Sequence, residues 1–127
     1  MENLGSYTHS RSGDALFVIT AYFQANDPIA DELTLVATSL DGRDELGRAS
    51  WALEPAPEGG YQLRLISDPI LTAGCVVICL GKAFAGAGPT VECLRNAKTV
   101  QQARNCLIGV TGRLVETGHC VLECLSP

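Results

Sequence analysis

The chain has little positive charge. Of its 127 residues, nine are Lys or Arg and 14 are Asp or Glu, which gives a net charge of −5. A surface that binds phosphates needs a concentration of basic side chains. We therefore expect no nucleic-acid partner. Because anionic lipid headgroups make the same demand, we also expect no membrane partner.

Long hydrophobic runs are missing as well. The longest run, residues 75–80, is far shorter than the roughly 20 apolar residues that a membrane-spanning helix needs. The start of the sequence lacks the basic and apolar regions of a secretory signal. These features predict a cytoplasmic protein, and thiols stay free in that reducing compartment.

Motifs that carry chemistry are also lacking. The Gly81-Lys82 pair opens a segment that Pro89 closes, whereas a phosphate-binding loop ends in Gly-Lys-Ser/Thr and leads into a helix. The acidic residues of the first half do not have the spacing of a calcium-binding loop. The sequence therefore predicts no catalytic residue, no metal site and no cofactor.

What is present in the first half is a series of strand-like segments. They are rich in β-branched and aromatic residues or alternate between apolar and polar residues, and Gly- or Pro-containing turns separate them. The segments are residues 15–23, 32–40, 47–54 and 61–66. Residues 1–14 are polar and show no such period, so we expect them to form a flexible N-terminal arm.

The second half contains an internal repeat. Residues 75–94 align with residues 106–125 after a shift of 31 positions, and Cys, Gly, Glu, Cys and Leu are identical at equivalent places. Each unit reads as strand, turn and strand, so two units add two hairpins. The segment between them with good helix formers is residues 97–105.

These patterns together predict a single all-β domain over residues 15–127. A two-layer antiparallel β-sandwich of seven or eight strands fits the spacing of the segments best. A β-trefoil or a small β-barrel is the alternative, since both are built from successive hairpins. Two good copies of the unit, and not three, favour the sandwich.

The repeat carries four of the six cysteines. The simplest interpretation is that all six are small buried apolar residues with free thiols. If each unit is a hairpin, its two cysteines face each other, and the alternative is a pair of disulfides, Cys75–Cys93 and Cys106–Cys124.

The other two cysteines, Cys79 and Cys120, have no counterpart in the repeat. On a strand, Cys79 would lie roughly 13 Å from Cys75, which is too far for two ligands of one metal ion. A reactive thiol at Cys79 or Cys120 is a further alternative, which would make the protein a small cysteine-dependent enzyme or redox protein.

Candidate ligand-binding residues come from two sources. Trp51 and Tyr61 lie on predicted strands, where aromatic rings can stack on sugars, and Asp41 and Asp44 lie in an acidic turn. The chain has only seven aromatic residues, and a core of this size needs most of them. We therefore rank a small-ligand or carbohydrate-binding β-domain as an alternative.

The preferred function is a non-catalytic protein-binding or assembly module. The predicted strand at 74–80 is apolar on both faces, which requires cover on both sides. The predicted strand at 120–125 would be an exposed edge. We expect contacts with another polypeptide, and most simply a homo-oligomer, since symmetric dimers are the commonest assemblies. The expected interface residues are Val76, Ile78, Val121 and Leu125.

Overall fold

The computed structural model describes residues 2–25, 31–66, 74–84 and 88–125, and for residues 109–113 the backbone alone. The first half of the chain is a five-stranded antiparallel sheet in which each strand pairs with the next. The strands are β1 (Glu2–Arg11), β2 (Asp14–Gln24), β3 (Asp31–Thr38), β4 (Glu45–Pro55) and β5 (Tyr61–Leu65). The four strands expected in this half are confirmed as β2 to β5.

The N-terminal segment is a strand and not a loose arm. Residues 2–11 form β1, which pairs along the length of β2. Ser12 and Gly13 join the two strands with φ angles of 53° and 85°. Two positive φ angles in a two-residue loop are the signature of a type I′ hairpin turn. The segment looked unstructured because most of its side chains are polar and exposed, so it shows no apolar alternation.

The second half is helical, so the prediction of an all-β sandwich of seven or eight strands is wrong. The helices are α1 (Cys75–Gly81), α2 (Pro89–Asn96), α3 (Val100–Cys106) and α4 (Thr111–Leu125), with a 3₁₀ turn at Leu107–Val110. A sheet with two open ends in the described part of the chain also rules out the barrel, and the helices rule out the trefoil. The error has a simple cause, since a short apolar run suits a strand and a buried helix equally well.

The sequence repeat does not correspond to a structural repeat. Cys75 begins α1, whereas its counterpart Cys106 ends α3. Cys93 lies in the middle of α2, whereas its counterpart Cys124 lies in the last turn of α4. The helix expected at 97–105 is confirmed as α3. The Thr99 side chain caps it by accepting a hydrogen bond from the backbone N–H of Gln102 at 3.1 Å.

The core lies between one face of the sheet and the helices. Alternate residues of β2, β3 and β4 point to this face, and α1, α2 and α4 each contribute apolar side chains to it. The other face of the sheet carries polar side chains, among them Thr34 and Ser50, whose hydroxyls lie 2.9 Å apart. The largest fully buried side chains are Phe17, Ile19, Leu33, Leu35, Leu80, Leu94, Leu107, Leu114 and Val121.

Candidate functional site

The outer edge of β1 is one of the two edges of the sheet. Among the described residues, no strand pairs with that edge. Asn3, Ser6 and Thr8 are exposed, and Tyr7 is 42 % exposed. The strand contains no Pro. Its Asp, Glu, Lys and Arg residues are limited to Glu2 at one end and Arg11 at the other. Proteins commonly protect an edge with such residues, and β1 has none between its ends. Its pairing with β2 shifts register between Asn3 and Gly5 and between His9 and Ser10, so the regular part of the edge is residues 5–9.

A buried histidine holds β1 against the helical layer. The ring of His9 is stacked on Phe17 at a centroid distance of 4.9 Å and lies 4.6 Å from the ring of Tyr7. Its Nε2 lies 3.0 Å from the carbonyl oxygen of Leu114 in α4. Burial lowers the pKa of His9, and the neighbouring His119 lowers it further, although the hydrogen bond to Leu114 opposes both effects. A neutral imidazole that donates through Nε2–H fits this position.

The opposite edge strand, β5, is different. It has only five residues, and α2 packs beside it. Arg64, its fourth residue, pairs with Glu54 of β4, with Nε 3.0 Å from the carboxylate oxygen. A short strand with a charged residue is a poor template for a further strand. The two edges of the sheet are therefore not equivalent.

Two disulfides connect α1 and α4. Cys75 is bonded to Cys124, and Cys79 is bonded to Cys120. Residues four apart lie on one face of a helix, so the two pairs stack along the contact between two antiparallel helices. The Sγ atoms of Cys79 and Cys124, which are not bonded to each other, are 3.5 Å apart.

A third disulfide joins Cys93 of α2 to Cys106 of α3, so all six cysteines are paired. The expected pairs Cys75–Cys93 and Cys106–Cys124 are wrong, because they assumed hairpins in place of helices. The expectation of free thiols is not met either. A reactive thiol at Cys79 or Cys120 is not available in this oxidised state.

A cavity lies between the β4–β5 turn and α2. Its volume is about 660 Å³, and its lining includes Tyr61, Phe84, Arg95 and Glu58. The turn approaches α2 closely at Gly60, where φ is +72° and the carbonyl oxygen of Arg95 occupies the place of a Cβ atom. A side chain at position 60 would therefore push the turn away from the helix and change the cavity.

The four expected ligand residues do not come together. Tyr61 lines the cavity, but Trp51 is only 3 % exposed and packs edge-to-face on Phe84 at 4.9 Å. Asp41 lies in the β3–β4 turn, where its carboxylate accepts hydrogen bonds from the Ser39 hydroxyl and the Arg43 backbone N–H. These bonds lower the pKa of Asp41 and stabilise the turn. Asp44 closes the same turn by accepting a hydrogen bond from the backbone N–H of Ser39.

The four expected interface residues lie on helices and not on strands. Val121 is fully buried in the core, so it is not available to a partner, and Val76 is half-buried against the core. Ile78 and Leu125 are exposed, at 40 % and 44 %. Sequence reasoning missed the edge of β1 because its polar side chains show no strand pattern. The surface that the edge offers to a partner consists of backbone N–H and C=O groups.

No helix in the described part of the chain is long and apolar enough to cross a membrane. Three comparisons with known proteins, against family models, curated proteins and solved structures, find no match.

Proposed function

We propose that the protein is a non-catalytic assembly module that pairs with another polypeptide through the outer edge of β1, and that its partner is a second copy of the same chain. The observation that carries this proposal is the long edge strand without Pro or Lys and without charge between residues 3 and 10. Free backbone N–H and C=O groups on such an edge form a hydrogen-bonded ladder with an added strand.

A second copy fits this edge well. Antiparallel pairing of two β1 strands is compatible with a two-fold axis and joins two five-stranded sheets into one sheet of ten strands. It brings the acidic end of one strand, at Glu2, towards the basic end of the other, at Arg11. The half-exposed ring of Tyr7 adds apolar area next to the ladder. Since His9 anchors β1 to α4, the edge is already ordered before it pairs, which lowers the entropic cost of association.

Light scattering coupled to size-exclusion chromatography tests the proposal. The parent protein should elute with twice the 13.4 kDa mass of the chain. The double variant Ser6→Lys/Thr8→Lys places two charges on the edge and should be monomeric, because like charges then face each other across the two-fold axis. The control Gln101→Lys/Asn105→Lys adds the same charge on the exposed side of α3 and should stay dimeric. A parent protein that is monomeric at the highest concentration reached would overturn the proposal.

The cavity beside α2 favours a second candidate function, the binding of a small polar ligand. Its volume of about 660 Å³ lies within the usual range of ligand sites. Tyr61 and Phe84 offer aromatic surface, and Arg95 and Glu58 offer charged hydrogen-bonding groups. A thermal-shift panel of sugars and small metabolites tests this candidate, since a ligand that binds only the folded state raises Tm. The shift should disappear in Tyr61→Ala and persist in Tyr7→Ala, and a panel without any shift argues against this function.

The sequence and the disulfides point to different cellular compartments. The sequence favours the reducing cytoplasm, whereas three disulfides are typical of an oxidising compartment. Thiol counting decides between them when the protein is isolated in the presence of an alkylating reagent. Six alkylated cysteines place the chain in a reducing compartment, and none places it in an oxidising one.

A further inference from the structure

Four sulfur atoms lie close together between α1 and α4. The Cα atoms of Cys75 and Cys124 are 5.6 Å apart, and those of Cys79 and Cys120 are 5.7 Å apart. Along each helix, the two cysteines are separated by one turn, or about 6 Å. The four Cα atoms therefore lie at the corners of a near-square, and the four cysteine side chains point into the space between the two helices.

Three of these sulfurs have separations close to those of a tetrathiolate zinc site. A Zn–S bond length of about 2.3 Å in a tetrahedron requires sulfur atoms about 3.8 Å apart. The Sγ atoms of Cys75, Cys79 and Cys124 all lie within 4.8 Å of one another, and the Cys79–Cys124 separation is 3.5 Å. Cys120 lies outside this group of three, and its bond to Cys79 makes its sulfur the candidate for the fourth ligand. The Cys-x3-Cys spacing on each helix also falls within the range seen in structural zinc sites.

We propose that Cys75, Cys79, Cys120 and Cys124 bind one Zn²⁺ ion when their two disulfides are reduced, so that the same four sulfurs clamp α1 to α4 in either redox state. Two equivalents of a dithiol reduce the two disulfides to four thiols, and each dithiol is oxidised to its own disulfide. Zn²⁺ then displaces the four thiol protons to form a tetrathiolate complex. The bridged state and the metal-bound state exclude each other.

The surroundings of the cluster fit a structural site and not a catalytic one. Cys79 is buried, Cys120 and Cys124 are half-buried, and Cys75 is exposed. The ion would therefore reach the site from the side of Cys75. Four protein ligands leave no open coordination position for a substrate. The third disulfide, Cys93–Cys106, offers only two sulfurs and lies between α2 and α3, so it serves as an internal control.

Cobalt binding to the reduced full-length protein tests the geometry. The chain is reduced with a phosphine and freed of reductant without oxygen, and it is then titrated with Co²⁺. One equivalent should produce the visible absorption of tetrahedral cobalt together with a thiolate-to-cobalt charge-transfer band, and one equivalent of Zn²⁺ should abolish both. The variant Cys93→Ser/Cys106→Ser should keep these bands, and Cys79→Ser/Cys120→Ser should lose them. A cobalt spectrum without charge transfer in the parent overturns the proposal.

Alkylation of the reduced parent protein gives a second readout that needs no variant. With one equivalent of Zn²⁺, peptide mapping should show that the cysteines at 75, 79, 120 and 124 are protected while those at 93 and 106 react. Equal labelling of all six with and without Zn²⁺ would show that no such site forms. Protection spread evenly over all six would show unspecific thiol binding and would also contradict the proposal.

Discussion

The imidazole of His9 occupies the space that a side chain at position 118 would need. A Cβ atom built on Gly118 would overlap the ring of His9. The absence of a side chain lets the ring reach the helix backbone, where Nε2 lies 3.0 Å from the carbonyl oxygen of Leu114, one turn earlier in α4. This contact fixes the edge strand β1 to the last helix and thereby links the two ends of the chain.

Gly118→Ala should destabilise the protein by about 1–3 kcal/mol, because an added methyl group forces the packed His9 ring to move. Gly81→Ala is the matched control. It also replaces a helical glycine, but the new Cβ would meet only Leu65 Cδ2 at 3.8 Å. The control should be neutral or more stable by up to about 1 kcal/mol, since Ala is the better helix former. Urea denaturation of both variants measures the difference, and equal effects would show that position 118 has no special role.

The stability of the protein should fall in mild acid because of His9. Its pKa in the folded state is lowered, chiefly by burial, so the unfolded state binds the proton more readily. Stability is then complete above the unfolded pKa of about 6.5 and is lost as the pH falls from that value towards the lowered pKa. Denaturation midpoints between neutral and mildly acidic pH measure this loss. His9→Gln should remove most of the slope and His119→Gln should keep most of it, since burial is the larger cause of the lowered pKa of His9. The reverse order would contradict the assignment to His9.

The two disulfides between α1 and α4 should be partly redundant. In the chain-entropy model, one bridge already closes the long loop, so loss of the other costs only about 2–3 kcal/mol. Loss of both bridges also frees the loop of 41 residues in the unfolded chain, and it lowers the free energy of unfolding by about 6 kcal/mol in total. Serine replacement of Cys75/Cys124, of Cys79/Cys120 and of all four, followed by urea denaturation, tests this pattern. Strict additivity of the two pairs would contradict it, and peptide mapping of the unreduced parent checks the pairing itself.

The ion pair between Asp31 and Arg104 should stabilise the contact between β3 and α3. Two of the three guanidinium nitrogens of Arg104 donate to the Asp31 carboxylate, at 2.8 and 3.3 Å, and the side chain of Asp31 is only 6 % exposed. Arg104→Met leaves this carboxylate buried beside an apolar group and should cost about 3 kcal/mol. Asp31→Asn/Arg104→Met should recover part of that loss, because no buried charge remains. Thermal denaturation of both variants and of Asp31→Asn measures the coupling, and a double variant less stable than Arg104→Met would refute the explanation.

The strands of the sheet were predictable from the sequence where every second residue is apolar and faces the core. Leu33, Leu35 and Ala37 alternate with Thr34, Val36 and Thr38, and this pattern of apolar and β-branched residues indicates β3. β1 has no such period, because most of its side chains are polar. This edge strand is held mainly by its backbone hydrogen bonds to β2. Ser12-Gly13 was the available signal, since a Ser-Gly pair marks a tight turn between two strands.

Apart from α3, the helices were not predictable from local preference. Val76, Val77 and Ile78 are β-branched and favour a strand, yet they form α1. In the helix, Leu80 is fully buried and packing against the sheet outweighs the weak local preference. The spacing of Cys75 and Cys79 and of Cys120 and Cys124 was the one helical signal in this region, but it has meaning only once the two helices lie side by side.

The sequence by itself determined four of the five strands of the first half, the short helix expected at residues 97–105 and the acidic composition, because these depend on periodicity, propensity and charge along the chain. The tertiary structure decided the rest. It converted the second half from strands to helices and placed Gly118 opposite His9. It also paired Cys75 with Cys124 and Cys79 with Cys120. These features depend on contacts between residues more than 40 positions apart, which only the packing of helices on the sheet brings together.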